Sequence, residues 1–180
     1  MLNQAKQNAE NGKATIFGYH VNDPQRFGIV EFDAKGNVVS VEEKPEKPKS
    51  SYCITGLYFY DNRVVQLAKQ VRPSARGELE ITTLNDLYLQ DTSLKVQILG
   101  RGFAWMDTGT MDSLLEAADF IHTIEKQQNI TISAPEEIAL RNGWIDRDQL
   151  LAAAARYGKS PYGAHLKMVA EHKLLSIIGD

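Results

Sequence analysis

A single cysteine, Cys53, stands in 180 residues, so no internal disulfide can close. Its place in an apolar, strand-like run fits a packing role in a reducing compartment. Positive charge is short as well. Lys and Arg number 20 against 23 Asp and Glu, for a net charge of −3, so no basic field invites nucleic acid or an anionic membrane. Any phosphate-bearing ligand must then be met by a few placed cations. No hydrophobic stretch approaches membrane-spanning length, and the N-terminal MLNQAKQNAENGK lacks the apolar core of a signal peptide, from which a cytoplasmic location is expected. His20, His122, His165 and His172 are scattered, without metal-ligand spacing to one another or to Cys53, which argues against a zinc site or a hydrolytic triad. Neither a GxGxxG nor a Walker-type loop occurs, so the chain shows no phosphate cradle of its own.

What is there is an ordinary globular composition, 43% hydrophobic and 24% charged, in a length suited to one domain with or without an appendage. Residues 1–12 read as an exposed helix closed by Asn11-Gly12. Ala14 to Val21 reads as a strand, and Arg26 to Asp33 with Val38 to Lys44 as a hairpin whose turn uses Gly36 for a positive φ. Pro45 to Pro48 is a loop, Tyr52 to Tyr60 a strand and Val64 to Gln70 a short helix. Leu79 to Leu89 is a helix with Ile81, Leu84, Leu87 and Tyr88 on one face, followed by a buried strand from Leu94 to Leu99. Thr110 can N-cap a helix whose apolar positions Leu114, Ala117, Ala118, Ile121 and Ile124 follow helical spacing. Beyond residue 128 the pattern is helical only. Pro135 opens one helix ended by Gly143, Asp146 and Gln149 form a capping box for Leu150 to Tyr157, and Tyr162 to Leu175 can form a last helix. The expected organisation is an α/β body at 1–128 and a helical extension at 129–180.

Several short clusters can carry chemistry. Asp107, in Trp105-Met106-Asp107-Thr108-Gly109-Thr110, stands where an apolar run gives way to a helix, the place where open α/β proteins bind ligands. Its carboxylate, with Gly109 leaving room for close approach, suits a magnesium ion bridging to phosphates, or it caps the next helix. Glu43 and Lys44 end a strand side by side. A carboxylate accepts hydrogen bonds from sugar hydroxyls and a lysine neutralises phosphate, but strand alternation sends the two side chains to opposite faces unless the chain bends at Pro45. The alternative is a solvated strand end. Arg76 lies in a loop just before a helix, where it can grip a phosphate or simply pair with Glu78 or Glu80. Gly28, after Arg26-Phe27, lets a ligand approach the backbone or serves as turn chemistry.

Taken in order, the segments RFGIVEFDAKGNVVSVEEKP, YCITGLYFYDN, PSARGELEIT, GRGFAWMDTGT with SLLEAADFI, and PEEIALRNGWI resemble the sugar-1-phosphate nucleotidyltransferases, and among them those that make dTDP-glucose. The resemblance runs from about residue 14 to 165. It implies an α/β, Rossmann-like nucleotidyltransferase fold with a C-terminal helical extension. The implied reaction is attack of glucose 1-phosphate on the α-phosphorus of dTTP, giving dTDP-glucose and pyrophosphate, with Mg2+ held by two aspartates. By that resemblance Asp107 is one metal ligand, and Lys44 and Arg76 are the cations on the sugar phosphate. Gly28 and Glu43 match glucosyl-binding positions, Ile54 an aliphatic one in the same pocket, and Tyr58 a pocket wall. Phe27 stands at a substrate position where tyrosine is common, and lacks its hydroxyl. The family's glycine-rich GGxGTRL loop, the lysine after it and the first metal aspartate are not in this sequence. The chain is therefore expected to match the C-terminal part of the fold, without the nucleotide-binding half, and to be inactive alone. The resemblance further implies a homotetramer with a regulatory nucleotide-sugar site to which helices at 129–180 contribute. The rival expectation is a non-catalytic module that binds a sugar phosphate or dTDP-sugar, or assembles with a partner.

Overall fold

The computed structural model describes residues 1–171. The described chain divides into two compact units, one ending at Trp105 and the other starting at Met106.

The first unit is a mixed α/β layer. Helix α1 (Leu2–Glu10) leads into β1 (Ala14–His20), whose first residues are buried throughout, as a strand covered on both faces must be. A 3-10 turn (Pro24–Arg26) precedes the hairpin of β2 (Gly28–Phe32) and β3 (Val38–Glu43). Gly36 takes φ +82° in its turn, while Asp33 accepts backbone N–H bonds from Lys35 and Asn37. Strand β4 (Tyr52–Phe59), the short helix α2 (Val64–Ala68), helix α3 (Ile81–Gln90) and β5 (Leu94–Ile98) complete the unit. The sheet order is β3-β2-β4-β1-β5, antiparallel except for the β1–β5 pair. Leu84 and Tyr88 of α3 close the core over Ala14, Ile16, Val30, Val41, Ile54 and Leu94. Cys53 of β4 is fully buried.

The second unit is helical: α4 (Met111–Gln128), α5 (Pro135–Arg141), α6 (Arg147–Arg156) and α7 (Pro161–Ala170). Its core is Leu150, Ala153 and Ala154 of α6 against Leu166 and Ala170 of α7. Asp146 and Gln149 form the expected capping box, and Gly158 takes φ +58° where α6 stops. The end of the expected last helix, and His172, lie outside the described residues.

The structure corrects the sequence reading at several elements. The run from Leu94 to Leu99 is not a buried strand: β5 is an edge strand paired to β1 alone, so only Leu94 is buried. The apolar Phe103 to Met106 is irregular, and Asp107 follows a loop rather than a strand end. Helix α3 begins at Ile81 with Glu80 as N-cap, which leaves Leu79 and Ile81 exposed and turns Thr82 and Asn85 inward with Leu84 and Tyr88.

Candidate sugar-phosphate site

Antiparallel pairing sets Gly28 of β2 directly opposite Glu43 of β3. A Cβ on Gly28 would lie 3.1 Å from Glu43 Oε2, 3.0 Å from Thr82 Oγ1 and 3.6 Å from Ile54 Cδ1. Glycine is thus favoured here by space, not by φ. The same distances show that three of the residues picked out in the sequence, Gly28, Glu43 and Ile54, converge on one spot. Thr82, missed in the sequence, joins them: its hydroxyl donates to Glu43 Oε2 at 2.5 Å and the residue is 4% exposed. Its signal was the spacing Thr82, Asn85, Tyr88, which puts polar side chains at helical intervals on the inward face of α3.

Arg76 sits in a loop closed by Ser74 N donating to Glu78 O at 2.8 Å. Its Nη2 donates to Glu78 at 2.8 Å, while Nη1 stands 3.5 Å from Glu80 and 3.7 Å from Glu43. The guanidinium therefore both pairs with Glu78, as the simpler reading held, and reaches the Glu43 carboxylate. At Nη1 its contacts are ionic but longer than hydrogen bonds, which leaves donors for an anion. Ser74 Oγ donates to the buried Glu80 at 3.0 Å and holds that carboxylate in place.

The chain leaves extended geometry at Lys44 itself, one residue before Pro45. Lys44 has φ +42°, a conformation that costs a non-glycine residue roughly 1–2 kcal/mol. Its N–H donates to Phe27 O at 3.0 Å, so the hairpin ladder holds the turn. Strand alternation ends there. The Lys44 side chain is exposed and forms no ion pair among the described residues.

Aromatic residues border this region. Trp105 packs edge-on to Phe27 at 5.2 Å and against Tyr19 at 6.0 Å, and Tyr19 OH donates to Phe103 O. Phe27 thus acts through its ring. The Tyr58 hydroxyl is pushed above its ordinary pKa by burial and by the charge of Glu43.

Asp107 belongs to the second unit. The alternative of a helix cap goes to Thr110, whose Oγ1 accepts from Ser113 N while Ser113 Oγ accepts from Thr110 N. Asp107 Oδ2 instead accepts from Gly109 N at 3.3 Å. A Cβ on Gly109 would stand 2.9 Å from that oxygen, so the small residue preserves the carboxylate's position. Among the described residues no three His, Cys, Asp or Glu side chains gather as a metal cluster.

Comparison with known proteins gives this geometry a family. Residues 1–124 match the nucleotidyl transferase family. The chain belongs to the nucleotidyl transferase family. Within it, the chain is 57% identical to the glucose-1-phosphate thymidylyltransferase of Neisseria gonorrhoeae over 88% of this chain and 55% of that protein. It is 51% identical to that of Xanthomonas campestris over 92% of this chain and 56% of the relative. The crystal structure of a Bacillus anthracis family protein, described as a glucose-1-phosphate thymidylyltransferase in complex with sucrose, superposes with a TM-score of 0.58 at 38% identity. That match covers 66% of this chain and 47% of the other. The chain thus spans about half the length of the curated relatives it matches.

Proposed function

We propose that the first unit holds a sugar 1-phosphate, and that this chain supplies the sugar-phosphate side of a transfer from dTTP to glucose 1-phosphate giving dTDP-glucose and pyrophosphate. The observation that carries the reading is the convergence of Gly28, Glu43, Ile54 and Thr82, with the Arg76 guanidinium 3.7 Å from the same carboxylate. Glu43 accepts hydrogen bonds from sugar hydroxyls, and Ile54 and the rings of Phe27 and Tyr58 line the apolar side. Arg76 exchanges its long contacts for phosphate oxygens, and Lys44 adds a second cation. The phosphate oxygen is then held for attack on the α-phosphorus, with positioning and charge neutralisation providing the rate. Asp107 is the residue that would hold Mg2+. One carboxylate suits that ion, which takes one or two protein oxygens and completes its shell with phosphates and water. When bound, it would neutralise charge on the transferred group. A homotetramer in the cytoplasm belongs to the same reading as what the resemblance implies; among the described residues no helix is long and apolar enough to cross a membrane.

Calorimetric titration of the 180-residue chain with glucose 1-phosphate tests the reading. Saturable binding is expected, together with no dTDP-glucose formation from dTTP, because this sequence contains no triphosphate cradle. Glu43→Ala should weaken binding by about 1–3 kcal/mol, the loss expected when sugar hydroxyls go unpaired. Unchanged affinity in Glu43→Ala would reduce Glu43 to a strand-end charge, and pyrophosphate release by the chain alone would require a nucleotide site elsewhere.

A further inference from the structure

Tyr58 heads a row of three tyrosine rings. Tyr58 and Tyr60, two residues apart and so on one side of the extended chain, stack at 5.9 Å and 18°. Tyr60 and Tyr88 stack at 5.4 Å and 27°. The inner rings are anchored by bonds of their own: Tyr88 OH donates to Asp61 Oδ1 and Tyr60 OH to Asn85 Oδ1, each at 2.6 Å. Tyr58, paired with Ile16 across the sheet, has no such hydroxyl bond among the described residues, and its ring rests on that of Tyr60.

Asn85 is the unusual member. It is fully buried, its carbonyl serves Tyr60, and its Nδ2 has no partner among the described residues. An unpaired buried amide N–H is costly, and an apolar side chain of similar size would remove the cost. An asparagine that bears that cost for one bond points to the bond itself as its use. Helix α3 carries Asn85 one turn beyond Thr82, so consecutive turns hold the Glu43 carboxylate and the tyrosine row.

We propose that Asn85 is a positioning residue: through its bond to Tyr60 it fixes the tyrosine row and so sets Tyr58 as a wall of the sugar-phosphate pocket. The inference rests on the reading of that pocket given above.

The test compares Asn85→Leu, Tyr60→Phe, their double variant and Tyr88→Phe by titration with glucose 1-phosphate. The Tyr58 ring is followed in parallel by NMR, its resonances assigned with Tyr58→Phe. Asn85→Leu and Tyr60→Phe should each weaken binding roughly three- to ten-fold and shift the Tyr58 ring signals, the double variant losing no more than the worse single one. Tyr88→Phe, which loses its bond to Asp61 but keeps the ring stack, should bind as the parent does. Tyr60→Phe breaks the same bond by removing one oxygen, which guards against misfolding of Asn85→Leu. Parental affinity in Asn85→Leu or Tyr60→Phe, additive losses, or an equal loss in Tyr88→Phe overturns the proposal. If the parent shows no saturable binding, the sugar-phosphate reading fails by itself. The Tyr58 ring then decides the positioning role: unchanged signals in Asn85→Leu and Tyr60→Phe overturn it, and shifts absent from Tyr88→Phe sustain it.

Discussion

The unit ending at Trp105 and the unit starting at Met106 bury their chains in different ways. The first closes large side chains, Phe17, Ile16, Val30 and Tyr88, inside a sheet-and-helix layer. Two of its buried hydroxyls are bonded: Thr55 donates to Phe17 O at 3.1 Å, and Thr15 accepts from Asn8 at 3.0 Å. The second has a smaller core in which alanines outnumber leucines, and its longest helix, α4, buries no residue while exposing Met111, Leu114, Leu115, Phe120 and Ile121. Glu43 is therefore held by packed elements, opposite Gly28 in the hairpin and bonded by Thr82 of α3, whereas Asp107 stands in a loop where its carboxylate accepts from Gly109 N. A site built on packed elements keeps its geometry, and one built on a loop depends on what it binds.

That contrast can be broken most forcefully at Asp107. In a chimera that places a relative's glycine-rich nucleotide-binding segment before residue 1, the proposed role of Asp107 as the Mg2+ ligand requires Asp107→Asn to lower the rate of dTDP-glucose formation by several orders of magnitude, since the substitution removes the charge and keeps the shape. The start of α4 should survive the change, because Thr110 and not Asp107 caps that helix. Rate against magnesium concentration for both proteins is the measurement, and a parental rate with parental magnesium dependence would return Asp107 to a loop residue. Next in size is Leu150→Ala. Leu150 is fully buried in the helical core, and its truncation should destabilise the second unit by about 2–5 kcal/mol. Segment-resolved hydrogen exchange should show faster exchange across α6 and α7 and unchanged protection in β1 and β4. Equal loosening of both would mean that the two units unfold as one.

The same contrast explains what could be read in advance. Strong local signals survived: the Asp33–Asn37 turn, the Asp146–Gln149 box and the Thr110 cap depend on neighbours in sequence. Gly28, Glu43 and Ile54 carry no local sign of proximity. They meet because β2, β3 and β4 pair, and their convergence follows from the resemblance rather than from spacing. Thr82 and Asn85 were hidden because an apolar face was sought on α3, and tertiary contacts with Glu43 and Tyr60 turned polar residues inward instead. Leu94 to Leu99 failed for the opposite reason. Its apolar run matches a strand buried on both faces, but β5 has a partner on one side only, which hydropathy does not register.

The smallest expected effect separates the units by acid. In the second unit Glu136 Oε2 accepts from Tyr162 OH at 2.5 Å and Oε1 from Tyr157 OH at 2.9 Å, tying α5 to α7. The Tyr162 bond, against burial and with help from Tyr157, holds the Glu136 carboxyl below its ordinary value of 4.5. A carboxylate depressed in the folded state contributes stability that is full above the ordinary value and is lost as pH falls through the folded one. The first unit has a counterpart in Asp61. Burial pushes its pKa up, but the Tyr88 hydroxyl and the Arg63 guanidinium outweigh it and leave the group lowered. Both units should then loosen as pH falls below the usual carboxylate range, each through its own group. Glu136→Gln still accepts from one tyrosine but carries no charge, so it should flatten the acid dependence of exchange in α5 and α7 without altering that of β1 or β4. Asp61→Asn should do the reverse. If either substitution changes the acid response of both units alike, the division at Trp105 and Met106 does not describe how the protein comes apart.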